Sequence, residues 1–335
     1  RIWYPHAPDA DSDVVGRLLH NRAVLRDEQS FPGLTMRLYE VPSATPVVEM
    51  EDARFGSLVL RGYQLTDPRP AWGRDGGLFL HWMTEEPLDR DYTAFVHLYD
   101  TDGQRIAQGD GLIINHDLLP TSAWQAGDAG RTLHHLSIPV GTPPGTYGLR
   151  VGVYDVETGD RLPRTDDTGT IDDGAIVLEI EVGASSETPD PALLSIPHPL
   201  DQQLVPGLKL LGYGVRPKAV PVGEEVELEL FWQATAAMNE DLQLRLVLKS
   251  REGEHLVKRD IALVGTNYGA SQWRQGEIIR EDYNVPTESA RGTGELALEL
   301  NLVTGEGDLA LEKPVPLTAI WVQSREPGTR TDVNP

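Results

Sequence analysis

The second half of this chain repeats landmarks of its first half at a nearly constant distance along the sequence. Each landmark combines glycine, tyrosine or tryptophan, and the landmarks recur in the same order. The matching pairs are Gly62-Tyr63 and Gly212-Tyr213, Trp82 and Trp232, Trp124 and Trp273, and Gly145-Thr146 and Gly292-Thr293. Because ordered matches at one period are the signature of an internal repeat, we expect two copies of one domain.

Between residues 47 and 183 the apolar residues recur at every second position, which is the period of a β-strand. Turn-forming pairs such as Asp102-Gly103 and Thr158-Gly159 separate the apolar runs. The runs that we predict as strands are 58–60, 78–80, 94–98, 133–138, 147–153 and 175–180. Short strands with regular turns predict a mainly β fold, an antiparallel β-sandwich of immunoglobulin-like or jelly-roll-like type.

These patterns divide the chain into five segments. Residues 1–46 differ from the rest and precede a first sandwich at 47–183. A polar, proline-bearing linker at 184–193 leads to the second sandwich at 194–325, which repeats the first. Residues 326–335 have the composition of a flexible tail.

Residues 1–46 combine both periods and predict a short β-α-β segment, the tail of an upstream domain. A first strand is stopped by Pro5, and residues 34–41 alternate as a second strand. Between them a helix is predicted to begin at Ser12 or Asp13, which are natural N-caps. Its apolar residues, at three-to-four spacing, are Val14, Val15, Leu18, Leu19 and Leu25.

The composition excludes several classes of function. The net charge of −23 argues against nucleic acid and anionic lipid as partners, because both require a basic surface. With no cysteine, the chain has no disulfide, thiol nucleophile, iron–sulfur cluster or cysteine zinc site. No apolar run reaches the roughly 18 to 20 residues of a membrane span. Since the sequence starts at Arg1 without a leader, we expect a piece of a longer protein.

A recognisable string of residues runs through the first copy. Its parts are Leu60-Arg61-Gly62-Tyr63, Phe79-Leu80-His81-Trp82, Asp89-Arg90-Asp91-Tyr92-Thr93-Ala94-Phe95-Val96-His97-Leu98, Pro120-Thr121-Ser122, Trp124, Gly127-Asp128 and Pro144-Gly145-Thr146-Tyr147. This string resembles the β-sandwich domains on the C-terminal side of bacterial multi-pass membrane glycosyltransferases of the protein O-mannosyltransferase type. Residues 1–42 are similar to the last extracytoplasmic stretch of such proteins.

The resemblance implies a non-catalytic, extracytoplasmic accessory region, attached to the membrane through an upstream segment. Its partners would be the upstream membrane domain and a glycan or glycosylated acceptor. The acidic residues that catalyse sugar transfer in that family lie in an early loop that this chain does not contain, so we expect no enzyme activity. The second copy departs from the string, because 242–246 lacks its aromatic residues and Gly294 stands in place of Tyr147.

Three loop tryptophans are candidates for ligand binding. Trp124 and Trp273 lie between serine and glycine in predicted loops, and Trp72 lies in a loop without a counterpart in the second copy. An exposed indole in a loop can stack on the apolar face of a sugar ring. Alternatively, Trp124 and Trp273 close the open ends of their own sandwiches and Trp72 packs on the surface. We favour these structural interpretations.

The other aromatic and histidine residues favour structural roles. Trp82 and Trp232 are in phase with strand leucines, so we expect both in the core. A metal site needs about three converging ligands, and neighbours in a strand point to opposite faces. We therefore expect solvated or partly buried histidines at all the scattered positions, namely His81, His97, His116, His134 and His135.

Calcium is the one cofactor for which the sequence has candidate ligands. Hard oxygen ligands cluster in one loop, and an Asp-x-Asp-x-Asp string resembles the start of a calcium loop. The first group is Asp166, Asp167, Thr168, Thr170, Asp172 and Asp173, and the second is Asp9, Asp11 and Asp13. In the second group Val14 and His20 stand where glycine and glutamate are required. We favour solvated acidic segments without a bound cofactor.

Two classes of function remain open from the sequence. One is an accessory ectodomain that recognises or positions the acceptor of a membrane glycosyltransferase. The other is a structural or protein-interaction spacer of tandem sandwiches on the cell surface. A stand-alone glycan-active enzyme is a third, less favoured class. The acidic residues leave a carboxylate pair for glycoside hydrolysis open. Neither a Gly-x-Ser-x-Gly motif nor a phosphate-binding glycine loop occurs.

Overall fold

The chain forms several antiparallel sheets, and this confirms the predicted mainly β fold class. A computed structural model describes residues 1–6, 14–42, 46–73, 76–101, 103–166, 169–172, 175–185, 190–191, 194–251, 253, 255–263, 268–287 and 294–324. It divides into two compact units, Arg1–Pro139 with Pro144–Ser185 and Val140–Pro143 with Ser186–Pro335. Over the described ranges, no helix is long and apolar enough to cross a membrane.

The first unit begins with a small sheet and one helix. The elements are β1 (Ile2–His6), α1 (Val14–Arg22), β2 (Val24–Phe31) and β3 (Leu34–Glu40), and the sheet order is β1-β3-β2. The prediction that the helix includes Leu25 is wrong, because α1 ends at Arg22 and Leu25 lies in a strand. The segment is therefore β-α-β-β. Gly33 turns the β2–β3 hairpin with a φ of 76°, which costs glycine little because it has no Cβ.

This N-terminal segment packs against the sandwich that follows it. Leu19 of α1 is buried with Tyr39 of β3, while Val24 forms a separate buried cluster with Phe79 and Leu133 of the sandwich. The His135 Nε2–H donates to the carbonyl oxygen of His20 at 2.9 Å. The segment thus covers part of the outer face of the first sandwich.

The first sandwich consists of a six-stranded and a five-stranded sheet. Its strands are β4 (Val48–Phe55), β5 (Leu58–Leu65), β6 (Gly76–Thr84), β7 (Tyr92–Tyr99), β8 (Arg105–Gln108), β9 (Gly111–Leu112), β10 (Ala129–Leu136), β11 (Gly145–Asp155), β12 (Arg164–Asp166), β13 (Gly169–Asp172) and β14 (Ala175–Val182). The sheet orders are β10-β6-β5-β4-β12-β13 and β14-β11-β7-β8, with β9 also paired to β7. Five of the six runs predicted as strands lie wholly in these elements, and the sixth, 133–138, extends two residues beyond the end of β10.

The second sandwich has a four-stranded and a five-stranded sheet. Its strands are β15 (His198–Val205), β16 (Leu208–Arg216), β17 (Ala219–Pro221), β18 (Glu225–Ala234), β19 (Gln243–Lys249), β20 (His255–Ala262), β21 (Ile278–Pro286), β22 (Gly294–Val303) and β23 (Val315–Gln323). The orders are β15-β16-β18-β21 and β17-β23-β22-β19-β20.

The two sandwiches share one connectivity. The order β10-β6-β5-β4 in the first corresponds to β21-β18-β16-β15 in the second, and β14-β11-β7-β8 corresponds to β23-β22-β19-β20. Trp82 of β6 and Trp232 of β18 lie at matching places in these orders. The repeat in the sequence is therefore a repeat of structure.

Alternating apolar residues fill the interior of each sandwich, as the period of two requires. In the second unit one cluster joins residues of both sheets, including Leu230 and Trp232 from one and Leu298 and Leu300 from the other. Trp82, in the first unit, is 1% exposed. The prediction that Trp82 and Trp232 belong to the core is confirmed.

The sandwiches differ at one edge. In the second, β17 pairs in parallel with β23 through Val220 and Val322. In the first, the described part of the corresponding loop accepts a backbone hydrogen bond at this edge, from the Gly183 N–H to the carbonyl oxygen of Pro70 at 2.9 Å. The described order of that sheet accordingly ends at β14.

Candidate functional site

Trp124 lies in the interior of the first sandwich. It follows a single 3-10 turn, Thr121–Ala123, and its side chain is 0% exposed. Its indole N–H donates to the carbonyl oxygen of Leu119 at 3.1 Å, and its ring packs against Gly130. Of the two alternatives for Trp124, the exposed ring does not occur in this structure, and the burial agrees with the favoured packing role, because burial of a large indole with a bonded N–H is favourable.

Trp273 repeats this arrangement in the second sandwich. It follows the 3-10 turn Ala270–Gln272, is 3% exposed and belongs to the main core cluster. Its indole N–H donates to the carbonyl oxygen of Tyr268 at 3.1 Å. Trp273 is therefore buried as well, and both rings serve as packing elements of their own sandwiches, in agreement with the favoured interpretation.

A carboxylate fixes the turn in front of each of these tryptophans. Asp91 Oδ1 accepts the backbone N–H of Ser122 at 3.0 Å, and Asp241 Oδ1 accepts that of Ser271 at 2.9 Å. An aspartate that accepts backbone N–H groups satisfies donors that a short turn leaves free. The retained acidic residues thus position the tryptophans.

Trp72 is also buried, at 4% exposure, next to the buried Ala71. Both the exposed ring and the packing on the surface that we considered for it are wrong, because its loop between β5 and β6 places the indole inside the protein. In this structure none of Trp72, Trp124 and Trp273 presents an open ring face. Ligand binding by these three residues stays a prediction.

A chain of directed hydrogen bonds runs through the buried side of β10. The Trp82 indole N–H donates to Thr132 Oγ1 at 3.1 Å, and the Thr132 hydroxyl contacts His134 Nε2 at 2.9 Å. His134 Nδ1 lies 2.9 Å from the carbonyl oxygen of Gly109, which only accepts. Nδ1 therefore carries the proton, and Nε2 accepts from Thr132.

His134 is buried, 1% exposed, so the expectation of a solvated or partly buried ring is wrong for this histidine. Burial lowers the pKa of His134 to about 4, since the charged imidazolium would lose its hydration. The ring is neutral at pH 7, as the hydrogen-bond directions require. Its neighbour His135 lies on the opposite face of β10, as the strand period predicts.

The remaining polar candidates do not form a metal centre among the residues that the structure describes. There, no three histidine, aspartate or glutamate side chains are grouped so that they could hold a metal ion. Of the acidic candidates, 9, 11 and 13 lie outside the described residues, as do 167, 168 and 173. The side chains at 166, 170 and 172 also lie outside the description.

An open cleft with basic walls lies on the outer side of β6 and β10. We call it the cationic cleft, and its volume is about 450 Å³. Its polar lining consists of Arg61, His81, His116 and Arg131. Arg22, the last residue of α1, donates to the carbonyl oxygen of His116 at 2.9 Å and so brings a further guanidinium beside this wall.

The register of the sheet places Arg131 directly opposite His81. The Arg131 guanidinium lies 4.3 Å above the ring of Phe79, which is a cation–π contact. Arg61 forms an ion pair with Asp52 at 3.0 Å. Within the described residues, His81 Nε2 is buried and has no hydrogen-bond partner.

The basic groups of the cleft disfavour one another's protonated forms. Burial, and then the positive charges of Arg131 and His116, lower the pKa of His81. Burial, and then the Arg22 guanidinium, lower the pKa of Arg131. Arginine nevertheless stays protonated at neutral pH. The cleft therefore holds fixed positive charge in a chain whose net charge is −23.

Comparison with known proteins adds little to this description. No protein family and no curated protein matches the chain. Among solved structures, red sea bream transglutaminase is similar at 12% sequence identity with a TM-score of 0.24. That alignment covers 81% of this chain and 32% of the transglutaminase chain, so the chain spans about a third of that protein's length. A likeness at this level carries no argument.

Sequence reasoning missed the cationic cleft. His81 and Arg131 lie in different strands, and their position as direct neighbours depends on the pairing of β6 with β10. The available signal was the internal repeat, because Arg131 recurs as Arg280 while the residues around it change.

Proposed function

We propose that this chain is a non-catalytic, extracytoplasmic accessory region of a bacterial membrane glycosyltransferase of the protein O-mannosyltransferase type. The string of residues that resembles such regions supports this proposal. In the same proposal, the region is attached to an upstream membrane domain, and a glycan or glycosylated acceptor is its partner.

The proposal depends on the observation that residues of the string serve the packing of the sandwich. Trp82, Asp91 and Trp124 belong to the string, and each is engaged in an internal hydrogen bond that maintains a core or a turn. Residues that both copies retain for packing encode a scaffold. Two successive scaffolds of one kind suit a region that holds or positions other parts of a larger protein.

A second candidate function is that of a structural or protein-interaction spacer on the cell surface. The burial of Trp72, Trp124 and Trp273 favours it over recognition of glycan by stacking. A spacer needs the rigidity of a packed sandwich and no aromatic platform. The two candidates differ in the protein to which the chain is joined and in whether sugar is bound.

The first test is to sequence the gene upstream of Arg1. About ten or more hydrophobic spans, with an acidic pair in the first outward loop, would support the glycosyltransferase accessory region. A start codon or a simple signal peptide immediately before Arg1 would overturn it and leave the spacer.

A glycan array probed with this chain separates the two roles within either gene context. Specific binding would support recognition of an acceptor, and the absence of binding at millimolar neutral and acidic glycans would support the spacer. Hydrolysis of any glycoside by the purified chain would contradict both, because each is non-catalytic.

A further inference from the structure

We propose that the cationic cleft of the first unit is a binding site for an oxyanion, in the form of a carboxylate or phosphate group carried by a sugar-sized molecule. Arg131 is its central ligand, and Arg22 adds a second guanidinium beside the cleft wall. This inference rests on the geometry of the cleft alone.

Arg131 lacks a counter-charge in the part of the chain that the structure describes. Among the described residues, its guanidinium contacts the ring of Phe79 but forms no hydrogen bond or ion pair. The chain has 52 acidic and 29 basic residues, so carboxylates are not scarce. An arginine that is partly buried without one retains five unused N–H donors, arranged as a planar fork.

The equivalent arginine of the second unit, Arg280, does have counter-ions. Arg280 occupies the position in β21 that Arg131 occupies in β10. Its guanidinium pairs with Glu229 at 2.7 Å and with Asp282 at 3.1 Å. In the second unit, therefore, the protein itself supplies the carboxylates that this position calls for.

The residues that correspond to those two carboxylates are apolar in the first unit. Phe79 stands where the second unit has Glu229, and Leu133 stands where it has Asp282. The arginine is common to the two units, while its counter-ions are present in only one. In the first unit the arginine is therefore present without a protein carboxylate, and a bound anion would supply the negative charge.

Several basic side chains converge on the cleft. Arg61, His116 and Arg131 line it, and Arg22 lies beside His116. An oxyanion placed over Arg131 would accept hydrogen bonds from its guanidinium fork. Carboxylate and phosphate both fit a guanidinium fork through two parallel hydrogen bonds.

The size of the cleft defines the ligand class further. A volume of about 450 Å³ falls within the usual range of small-molecule sites, roughly 300 to 1,000 Å³. It accommodates a group larger than a bare ion, such as one sugar residue bearing a carboxylate or phosphate. The lining also includes Met83 and Ala129, which provide apolar contact for the body of such a ligand.

The test measures binding of three probes at constant ionic strength: inorganic phosphate, glucuronate and glucose. We expect phosphate and glucuronate to bind the wild-type chain at millimolar concentration in equilibrium dialysis, and glucose to bind no better than background. Tighter binding of glucuronate than of phosphate would identify the anion as part of a sugar, and the reverse would identify a phosphate group. Absence of binding by both anions would overturn the proposal.

Two variants test the site itself. Arg131→Gln should weaken anion binding by about tenfold or more, because it removes charge-assisted hydrogen bonds. Arg150→Gln is the matched control, since Arg150 also lies over an aromatic ring, that of Tyr99 at 5.0 Å, but outside the cleft. Equal loss in both variants would indicate a general effect of net charge and would overturn the proposal.

A variant with an added counter-ion keeps the test decisive if Arg131→Gln fails to fold. Ala129→Asp places a carboxylate at an exposed position of the cleft wall, two residues before Arg131 and on the same face of β10, and it should abolish anion binding while leaving Arg131 in place. Unchanged binding in a folded Ala129→Asp chain would contradict the site. Circular dichroism of each variant establishes that it is folded.

Discussion

Thr132 and Glu281 occupy the same position in the two sandwiches, and each accepts the indole N–H of the tryptophan on the neighbouring strand. The distances are 3.1 Å from Trp82 to Thr132 and 2.6 Å from Trp232 to Glu281. Each acceptor also contacts the residue two positions further on, His134 in one case and Tyr283 in the other. One buried polar position is thus satisfied by two different chemical solutions.

Glu281 gives the first prediction. Glu281→Ala would leave the Trp232 N–H and the Tyr283 hydroxyl without this shared acceptor, so we expect a loss of about 3 kcal/mol in the free energy of unfolding. Glu281→Gln retains an acceptor oxygen and should lose less. Urea unfolding at pH 7 measures both, and a loss below about 1 kcal/mol for Glu281→Ala would contradict the role of this contact.

His134 predicts a pH dependence of stability. Its pKa is depressed to about 4 in the folded chain, so its contribution is complete above the unfolded value, about 6.5, and is lost as the pH falls towards 4. The loss is about 1.4 kcal/mol per pH unit and about 3 kcal/mol in total.

Denaturant unfolding between pH 7 and pH 4 checks this dependence. His134→Gln should have a shallower decline than the wild type over that interval, because glutamine does not ionise. His135→Gln is the control for the loss of an imidazole from the same strand. Parallel curves for His134→Gln and the wild type would show that His134 does not titrate in this way.

The burial of Trp124 predicts a large effect of truncation. Trp124→Ala should lose about 3 to 5 kcal/mol of stability, since it leaves a cavity in the sandwich. Trp124→Phe retains most of the packing and loses the hydrogen bond to the carbonyl oxygen of Leu119, so it should lose less. Chemical unfolding ranks the two, and a nearly neutral Trp124→Ala would mean that the ring is exposed in solution.

Gly130 should not tolerate a larger side chain. A Cβ at this position would overlap the carbonyl oxygen of Ile114 and lie 2.9 Å from two atoms of the Trp124 ring. We expect Gly130→Ala to lose about 2 kcal/mol or more, in the range of overpacked cores. Gly148→Ala is the matched control in β11 of the other sheet, because its Cβ would meet only Val177 at 3.7 Å. Thermal unfolding of the pair decides, and equal transitions would contradict the packing described here.

Arg280 predicts a pH effect of the opposite sign. Burial raises the pKa of Glu229, and Arg280 opposes that rise. In Arg280→Met the pKa of Glu229 should rise further, so the ionised carboxylate destabilises the fold at high pH and protonation relieves it at low pH.

We expect a loss of about 2 to 3 kcal/mol for Arg280→Met at pH 8, and a smaller loss at pH 5. Arg150→Met, which removes a cation above Tyr99, is the comparison variant. Stability curves from guanidinium titrations at the two pH values give the answer. A loss that grows as the pH falls would contradict the assignment of Glu229 as the partner.

The sequence predicts the architecture better than the site, and particular residues explain why. The alternation of the strands and the spacing between Trp82 and Trp232 are local patterns, so they can be read from the sequence without knowing the fold. Leu25 misled because it falls in phase with the apolar residues of α1, although Gly33 marked a hairpin after it. Helix and strand periods overlap over such short runs.

Burial of loop residues is a property of tertiary structure, and the sequence did not reveal it. Trp124 follows a turn whose flanking residues are compatible with either exposure or packing. His134, by contrast, alternates with Thr132 and Leu136, so its inward direction was readable from β10. The exchange of Glu229 for Phe79 was visible between the repeats, but its meaning required the pairing that sets Arg131 beside His81.

Pro70, in the loop between β5 and β6, lies beside the end of the edge strand β14, and this position has a consequence for self-association. Pro70 offers a carbonyl oxygen to Gly183 but has no N–H, so it cannot continue a ladder beside β14. Exposed sheet edges are templates on which a second chain adds a strand, and proline is a common means of blocking them. A protein with two similar sandwiches has two sets of sheet edges to which a strand of a second chain could add. Pro70 interrupts it at one edge, while β17 occupies the equivalent edge in the other copy.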